Sequence, residues 1–191
     1  MARNDDARQN GDIGEKMVLK VLERKAPCTH NEFRGNNQYA GGGWRNECYW
    51  YDIEMRIGKQ TRWFEVKLDM QTKLHNNVAV ETHCDAYSNG EFVPSGINMS
   101  KAEYWFFVTP EGRYWFIDLY TLRKIAFGDE QISYITEHGD ACTRGVMDKR
   151  GVHEDDSRVT TLLKVIPIPL LEKYCIAYGS NIEDFNLNLI L

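Results

Sequence analysis

Hydrophobic and polar residues alternate along two neighbouring segments of the chain, residues 51–57 and 63–68. A period of two is typical of half-buried β-strands. The intervening residues 58–61 begin with glycine, which suits a tight turn, so the two segments are predicted to form an antiparallel hairpin. Asp52 and Glu65 lie on the polar side of this hairpin. The pattern therefore predicts two carboxylates close together on one face, and it leaves the exact register open.

The same criteria predict the other regular elements of the chain. Apolar residues at helical spacing predict helices at residues 12–24, 101–104, 120–126 and 169–174. Alternating or continuous apolar runs predict further strands at residues 78–83, 104–109, 113–119 and 159–168. Strands interspersed with helices in this way indicate an α/β fold.

The remaining segments are predicted to be connections and a tail. Residues 28–45, rich in glycine, and 139–158, rich in charge, are predicted to be loops. The tail 184–191 alternates apolar and polar residues, which indicates that it packs against a sheet edge of its own domain or against another subunit. At 191 residues, the chain is predicted to form a single domain over residues 1–191.

Asp52 and Glu65 share the predicted polar face with Lys67, which lies two residues after Glu65. Hard divalent cations such as Mg²⁺ bind oxygen ligands, often one or two carboxylates, while water and substrate phosphate complete the shell. A lysine beside such an ion can orient a nucleophilic water and offset charge in the transition state. The trio therefore indicates a Mg²⁺ or Mn²⁺ site suited to phosphodiester cleavage.

This arrangement resembles the PD-(D/E)xK nuclease superfamily. The matching pattern is Asp52 on one strand, twelve further residues, and then Glu65-Val66-Lys67 on the next strand. Tyr51 stands where the family has its nominal proline, which is often absent in the family. The tripeptide alone recurs by chance in charged hairpins, and its position after an acid-bearing strand makes the resemblance more specific.

The resemblance covers about residues 11–120. A helix bearing Glu15 precedes the hairpin, a strand bearing Glu81 follows it, and residues 94–108 are similar to a segment of phage-type members of the superfamily. The resemblance implies an α/β restriction-endonuclease-like core in the order αβββαβ, with a mixed central sheet flanked by helices.

The implied activity is metal-dependent hydrolysis of DNA. By resemblance, Asp52 and Glu65 hold the Mg²⁺ or Mn²⁺ ion, the Val66 carbonyl adds a ligand, and Lys67 positions the attacking water. Family members often act as dimers, which implies a homodimer, and their usual settings are phage recombination, repair or restriction. An endonuclease is favoured over an exonuclease because nothing in the chain resembles the additional Gln-x-x-x-Tyr element of the exonuclease branch.

Two further acids have alternative interpretations. Glu15 either reaches the metal site from its helix, as in some relatives, or is an ordinary first-turn glutamate favoured by the helix dipole. Glu81 faces away from the apolar row of its strand, where it either holds a metal-bound water or a second ion, or pairs with a lysine. Both are retained as candidate catalytic residues.

Basic and aromatic side chains in the predicted loops are candidates for DNA binding because they can contact phosphates and stack on bases. The candidates are Arg34, Trp44 and Arg45 in the first loop, Arg144, Lys149 and Arg150 in the second, and Lys73 and Lys101 elsewhere. Lys101 is included because some relatives place residues near the substrate phosphate at that point. The alternative is that these are ordinary solvated surface residues.

Composition predicts the cellular compartment of the protein. Its five cysteines are odd in number and have no C-x-x-C spacing, which disfavours a disulfide framework and fits a reducing cytoplasm. The polar N-terminus and the absence of a long apolar run predict a cytoplasmic protein, in the host cytoplasm if the chain is phage-encoded, with neither a membrane nor an organic cofactor. The formal charge of −5 argues against a broad electrostatic grip on nucleic acid.

A second class of function is compatible with the same sequence. A catalytically inactive nucleic-acid-binding or interaction module could keep the fold, although such modules normally lose the acid or the lysine that this chain retains. A zinc site built from histidines and cysteines is disfavoured because no local ligand spacing supports it. The nuclease prediction is therefore ranked first.

Overall fold

The computed structural model describes residues 3–31, 51–70, 72–85, 89–128, 131–135, 141–152 and 159–190. The chain folds into two compact units. Unit 1 comprises Met1–Leu68, Ser100–Asp118 and Ile176–Leu191, and unit 2 comprises Asp69–Met99 and Leu119–Cys175. This division into compact units does not test the prediction of a single domain, which stays a prediction.

The protein is a mixed α/β structure. Its α-helices are α1 (Arg3–Leu22), α2 (Thr72–His75), α3 (Leu119–Phe127) and α4 (Ile168–Tyr174). Its strands are β1 (Cys28–His30), β2 (Ile53–Ile57), β3 (Gln60–Leu68), β4 (Asn77–Cys84), β5 (Val93–Pro94), β6 (Tyr104–Val108), β7 (Tyr114–Asp118), β8 (Gln131–Ile135), β9 (Ala141–Gly145), β10 (Met147–Val152), β11 (Val159–Pro167) and β12 (Ala177–Gly179). Short 3₁₀ helices cover Gly96–Asn98, Ile182–Asp184 and Leu187–Ile190.

Unit 1 is built on a six-stranded sheet in the order β1-β2-β3-β6-β7-β12. Strands β3 and β6 pair in parallel, and every other neighbouring pair is antiparallel, so the sheet is mixed as the sequence predicts. Unit 2 contains a four-stranded antiparallel sheet in the order β10-β11-β4-β5, together with the antiparallel pair β8-β9.

Helix α1 packs against one face of the central sheet of unit 1. Its apolar stripe, which includes Val18 and Leu22, joins the buried side chains Met55, Phe64 and Phe116 in one core cluster. A close approach is possible because Gly14 faces β3, where an added Cβ would lie only 2.9 Å from the Cβ of Leu68. Glycine at this position therefore fixes how near the helix can lie to the strand.

Two of the predicted helices differ from the structure. Helix α1 begins at Arg3 and not at Asp12, so Asp12 lies inside the helix and does not cap it. The polar residues before Asp12 carry no apolar stripe, so their helical structure leaves no periodic signal. The predicted helix at 101–104 is absent: Tyr104 begins β6, and the Ser100 hydroxyl accepts a hydrogen bond from the Ala102 N–H at 3.3 Å.

Both predicted loops contain strands. Residues 28–30 form β1, which pairs with β2, while residues 32–45 lie outside the described part of the chain. Residues 141–152 include β9 and β10, and residues 153–158 are not described. The charge of β10 is compatible with a strand because β10 lies at the edge of its sheet, where exposed charged side chains are tolerated.

The C-terminal tail packs within unit 1. Phe185 and Ile190 are buried in the core of unit 1, whereas Leu189 is 38% exposed, so the buried positions do not follow the predicted alternation. The tail forms 3₁₀ turns and not an extended strand, which explains the different spacing. Of the two predicted partners for the tail, its own domain is the one that it contacts.

No helix among the described residues is long and apolar enough to cross a lipid bilayer.

The packing of the tail can be tested by comparing two alanine substitutions. Phe185 meets Phe106, Tyr114 and Phe116 edge-on, with ring centroids 5.0 to 5.6 Å apart. We expect Phe185→Ala to lower the free energy of unfolding by about 3–5 kcal/mol, because it empties a buried aromatic site. Leu189→Ala is the matched control and should cost less than about 1 kcal/mol. Urea denaturation measures both values, and equal losses would contradict this packing.

Candidate active site

The hairpin β2-β3 positions Asp52 and Glu65. The pairing of β2 with β3 ends where Ile53 faces Phe64, and Asp52 lies one residue before that point. The backbone N–H of Asp52 donates to the Phe64 carbonyl at 2.8 Å, and the Val66 N–H donates to Asp52 Oδ2 at 2.7 Å. The hairpin turn contains Gly58 with φ of 61°, as a turn of the II′ type requires.

Both carboxylates are almost completely buried, Asp52 at 3% exposure and Glu65 at 5%. Lys67 projects from the same face of β3 and its Nζ forms a short ion pair with Glu65 Oε1. The same ammonium lies 5.5 Å from the ring centroid of Trp105, which is within cation–π range. Lys67 is therefore held between a carboxylate and an aromatic ring.

Two buried polar atoms beside this ion pair have no hydrogen-bond partner among the described residues. They are Glu65 Oε2 and Trp105 Nε1, an acceptor and a donor. Their residues are direct neighbours in the parallel pairing of β3 with β6. Buried polar groups of this kind are normally satisfied, so the pair marks a place where water, an ion or a ligand would gain hydrogen bonds or coordination.

Glu15 lies well inside α1, which rules out the interpretation as a first-turn glutamate. It is 1% exposed, and its Oε2 lies 2.5 Å from His30 Nε2. His30 belongs to β1 and pairs with Ile53, and the N–H of the following Asn31 donates to the Asp52 carbonyl at 2.9 Å. The imidazole that pairs with the buried Glu15 carboxylate thus lies on β1, the strand beside Asp52, and the sequence predicts no such role for His30.

An aromatic pair also borders the carboxylates. Tyr51 and Trp63 stack with ring centroids 5.5 Å apart and planes inclined by 13°. Trp63 Nε1 donates to Glu54 Oε2 at 3.3 Å, which fixes the indole orientation. Alternation along residues 51–57 predicts that Tyr51 shares the apolar face of Ile53 and Met55. This is wrong because β2 begins only at Ile53 and Tyr51 stacks on Trp63.

The remaining candidates lie elsewhere or outside the described residues. Glu81 is on β4 in unit 2, on the opposite side from the buried Val78 and Val80, and its role stays a prediction. Three of the candidate DNA-binding residues are exposed: Lys101 in unit 1, and Lys149 and Arg150 on β10. Arg34, Trp44, Arg45 and the side chains of Lys73 and Arg144 lie outside what the structure describes.

The donor types around Asp52 fit a hard divalent cation. Asp52 and Glu65 offer buried carboxylate oxygens, one of which, Glu65 Oε2, has no partner in the described part of the chain. Within that part, no group of three or more His, Cys, Asp or Glu side chains is arranged to hold a metal ion. A Mg²⁺ or Mn²⁺ ion here would therefore rely on two carboxylates with water or phosphate oxygens, a mode that Mg²⁺ commonly adopts.

Comparison of the chain with protein-family models, curated proteins and solved structures finds no match.

The cysteines described by the structure, Cys28, Cys84 and Cys175, are free thiols. Burial, followed by the negative charge of Glu23, raises the pKa of the Cys28 thiol to about 11. Burial, followed by the negative charge of Glu172, raises the pKa of Cys175 to about 11 as well. Thiols with such pKa values are poor nucleophiles at neutral pH because they remain protonated.

This protonation predicts slow alkylation of the native protein. A thiol with a pKa of about 11 is ionised in only about one molecule in a thousand at pH 8. We expect iodoacetamide to modify Cys28 and Cys175 at least ~10-fold more slowly in the native protein than in urea. Peptide mass spectrometry gives the rate for each residue. Equal rates in the native and unfolded protein would contradict the burial of these thiols.

The Glu15–His30 pair makes a separate prediction about stability. We expect His30→Ala to lower the free energy of unfolding by about 2–3 kcal/mol, because it removes one partner of a buried carboxylate. The double variant Glu15→Gln/His30→Ala should recover part of that loss, since it removes the charge as well. His75→Ala is an exposed control that should change little. Urea denaturation of the four proteins is the measurement, and an unchanged His30→Ala would disprove the coupling.

Proposed function

We propose that this protein is a metal-dependent deoxyribonuclease that hydrolyses DNA phosphodiester bonds, and that it acts as an endonuclease in phage-type recombination, repair or restriction. The proposal is carried by one observation: Asp52, which accepts the Val66 N–H, and Glu65 are both buried at the β2-β3 hairpin, and Lys67 is ion-paired with Glu65. Two carboxylates and one ammonium carry one net negative charge. A divalent cation and a phosphate are complementary to such a site.

Each residue has a defined part in this proposal. Asp52 and Glu65, with the Val66 carbonyl, would hold Mg²⁺ or Mn²⁺, which supplies Lewis-acid polarisation of the phosphate and a more acidic water. The Val66 N–H fixes the Asp52 carboxylate by a 2.7 Å hydrogen bond. Lys67 is kept beside Glu65 by its ion pair and by the Trp105 ring, so its ammonium can orient the attacking water and offset charge in the transition state.

The wider resemblance is supported unevenly. A helix bearing the buried Glu15, the buried Asp52 immediately before β2, and the Glu-x-Lys strand β3 occur in this order in unit 1, which supports part of a restriction-endonuclease-like core. The third strand of the expected αβββαβ core, β4 with Glu81, pairs with β11 and β5 in unit 2 and so departs from that core. A homodimer remains part of the proposal, but the tail gives it no support because it packs within unit 1.

A second candidate is a DNA-binding module without catalytic activity. The Glu65–Lys67 ion pair favours it, because the ammonium partly compensates the buried carboxylate without any cation. In that case Asp52 would act structurally, as the acceptor for the Val66 N–H. The two candidates differ in whether metal binding and DNA cleavage depend on the same residues.

A cleavage assay decides between them. Supercoiled plasmid, linear duplex, single strands and a four-way junction would be incubated with Mg²⁺, Mn²⁺, Ca²⁺ or EDTA. We expect Mg²⁺- or Mn²⁺-dependent cutting that falls by at least ~100-fold in Glu65→Gln and in Lys67→Ala, because each loses a group that stabilises the transition state.

Two exposed residues provide matched controls: Lys16 lies in α1, and Glu23 directly follows its last residue. Glu23→Gln and Lys16→Ala make the same chemical changes at the protein surface and should leave cutting unchanged. Calorimetry with Mn²⁺ adds a readout that is independent of turnover, since binding should be lost in Glu65→Gln. Absence of both cutting and Mn²⁺ binding in the wild-type protein would refute the nuclease and leave the binding module.

A further inference from the structure

We infer that the stacked pair Tyr51–Trp63 is a platform for an unpaired nucleobase, so that the DNA substrate presents a single-stranded segment beside the carboxylates. This inference rests on the proposed function and narrows its substrate class. It concerns residues that none of the predicted catalytic, metal or DNA-binding roles includes.

The first support is position. Trp63 and Glu65 are two residues apart on β3, so their side chains project from the same face, roughly 7 Å apart along the strand. Tyr51 directly precedes Asp52, the other carboxylate. A base resting on this pair would therefore belong to a nucleotide next to a phosphate at the carboxylates.

The second support is preorganisation. The indole of Trp63 is fixed at its edge by Glu54 and at one face by Tyr51, whose ring is almost parallel to it. Both rings are half-buried, so part of each remains accessible to solvent. Aromatic rings whose rotamers are already fixed lose little conformational entropy when a base stacks on them.

The third support is the charge around the pair. Arg56 follows Glu54 on the same face of β2, donates to it at 2.9 Å, and keeps its side chain 70% exposed. The Glu54–Arg56 ion pair therefore lies beside the aromatic pair, on the side away from Lys67, and the exposed guanidinium has further N–H donors for the backbone of the next nucleotide. The chain as a whole carries a charge of −5, so stacking with a few local cations is better suited to hold DNA than a broad basic surface.

The geometry specifies an unpaired base. Bases inside a duplex are covered on both faces by their neighbours, and a base must leave the stack before an aromatic side chain can cover it. Single strands expose their bases at no such cost, and stacking on aromatic side chains is tolerant of sequence. The platform therefore favours single-stranded DNA, or a single-stranded segment next to a duplex, over an intact duplex.

The test is a binding measurement on the whole protein in EDTA, which keeps it separate from cleavage. A single-stranded oligonucleotide with one 2-aminopurine, and its duplex, would be titrated with wild-type protein, Trp63→Leu and Trp63→Phe. We expect Trp63→Leu to weaken binding of the single strand by about tenfold or more and to abolish the quenching of 2-aminopurine. Trp63→Phe should restore most of the affinity because it keeps an aromatic face.

Tyr120→Leu is the control, because Tyr120 is a 79% exposed aromatic residue in unit 2 and should not contribute. Circular dichroism of each variant identifies loss of folding, and rescue by Phe separates stacking from bulk. The inference is overturned if wild-type protein binds duplex and single strand equally and Trp63→Leu changes neither.

The outcome is distinguishable from that of the proposed function. Mg²⁺-dependent cutting of intact duplex, unaffected by Trp63→Leu, would keep the nuclease and refute the platform. Single-strand binding that depends on Trp63, in a protein that cuts nothing, would support the platform and refute the nuclease.

Discussion

The hydrogen bond from the Val66 N–H to Asp52 Oδ2 is the interaction on which the rest of unit 1 depends. Strand β2 pairs with β3 as far as Ile53, where its backbone bends, and the Asp52 carboxylate then takes the place of a backbone acceptor. Val66 is buried, so its N–H needs an acceptor. Tyr51 directly precedes this bend and stacks on Trp63, so this bond fixes the Asp52 carboxylate on β3 one residue after the aromatic pair begins. One side chain thus links the sheet register to the geometry of the candidate site.

The neighbouring strand on the other side determines the environment of the site. Parallel pairing puts Trp105 of β6 beside Glu65 and Phe107 beside Lys67, and both aromatic residues are fully buried. An apolar setting makes an isolated charge costly and strengthens the attraction between opposite charges. The close contact of Lys67 with Glu65 follows from that setting, as does its position over the Trp105 ring. The hairpin thus contributes the charged side chains, and β6 contributes the apolar side chains around them.

Local patterns in the sequence predicted those parts of the structure that depend on near neighbours. Alternation predicted the β2-β3 hairpin, because a short turn makes neighbouring segments pair with each other. It could not predict that β4 pairs with β11 in another sheet, since β11 is about eighty residues later and apolar strands are interchangeable in pattern. The strand at residues 147–152 was not predicted because its residues are mostly polar or charged. An edge strand needs few apolar residues, since it buries little side-chain surface. Tyr51 was predicted to lie on the apolar face because the pattern does not show where a strand begins. The stacking of Tyr51 on Trp63 was therefore not predicted.

Stability alone does not account for the charged trio. A buried ion pair often contributes no more stability than apolar side chains of similar size would, since desolvation offsets the attraction. The face that carries Glu65 and Lys67 already borders Trp105 and Phe107, so apolar residues there could extend an existing buried surface. The chain instead keeps a carboxylate oxygen and an indole N–H that find no partner among the described residues. Local arrangements that cost stability in this way are typical of sites that bind or transform a ligand, because the ligand supplies the missing interactions. The unsatisfied groups beside Lys67 are therefore an argument for a functional site that is independent of the Glu-x-Lys motif, which a charged hairpin can produce by chance.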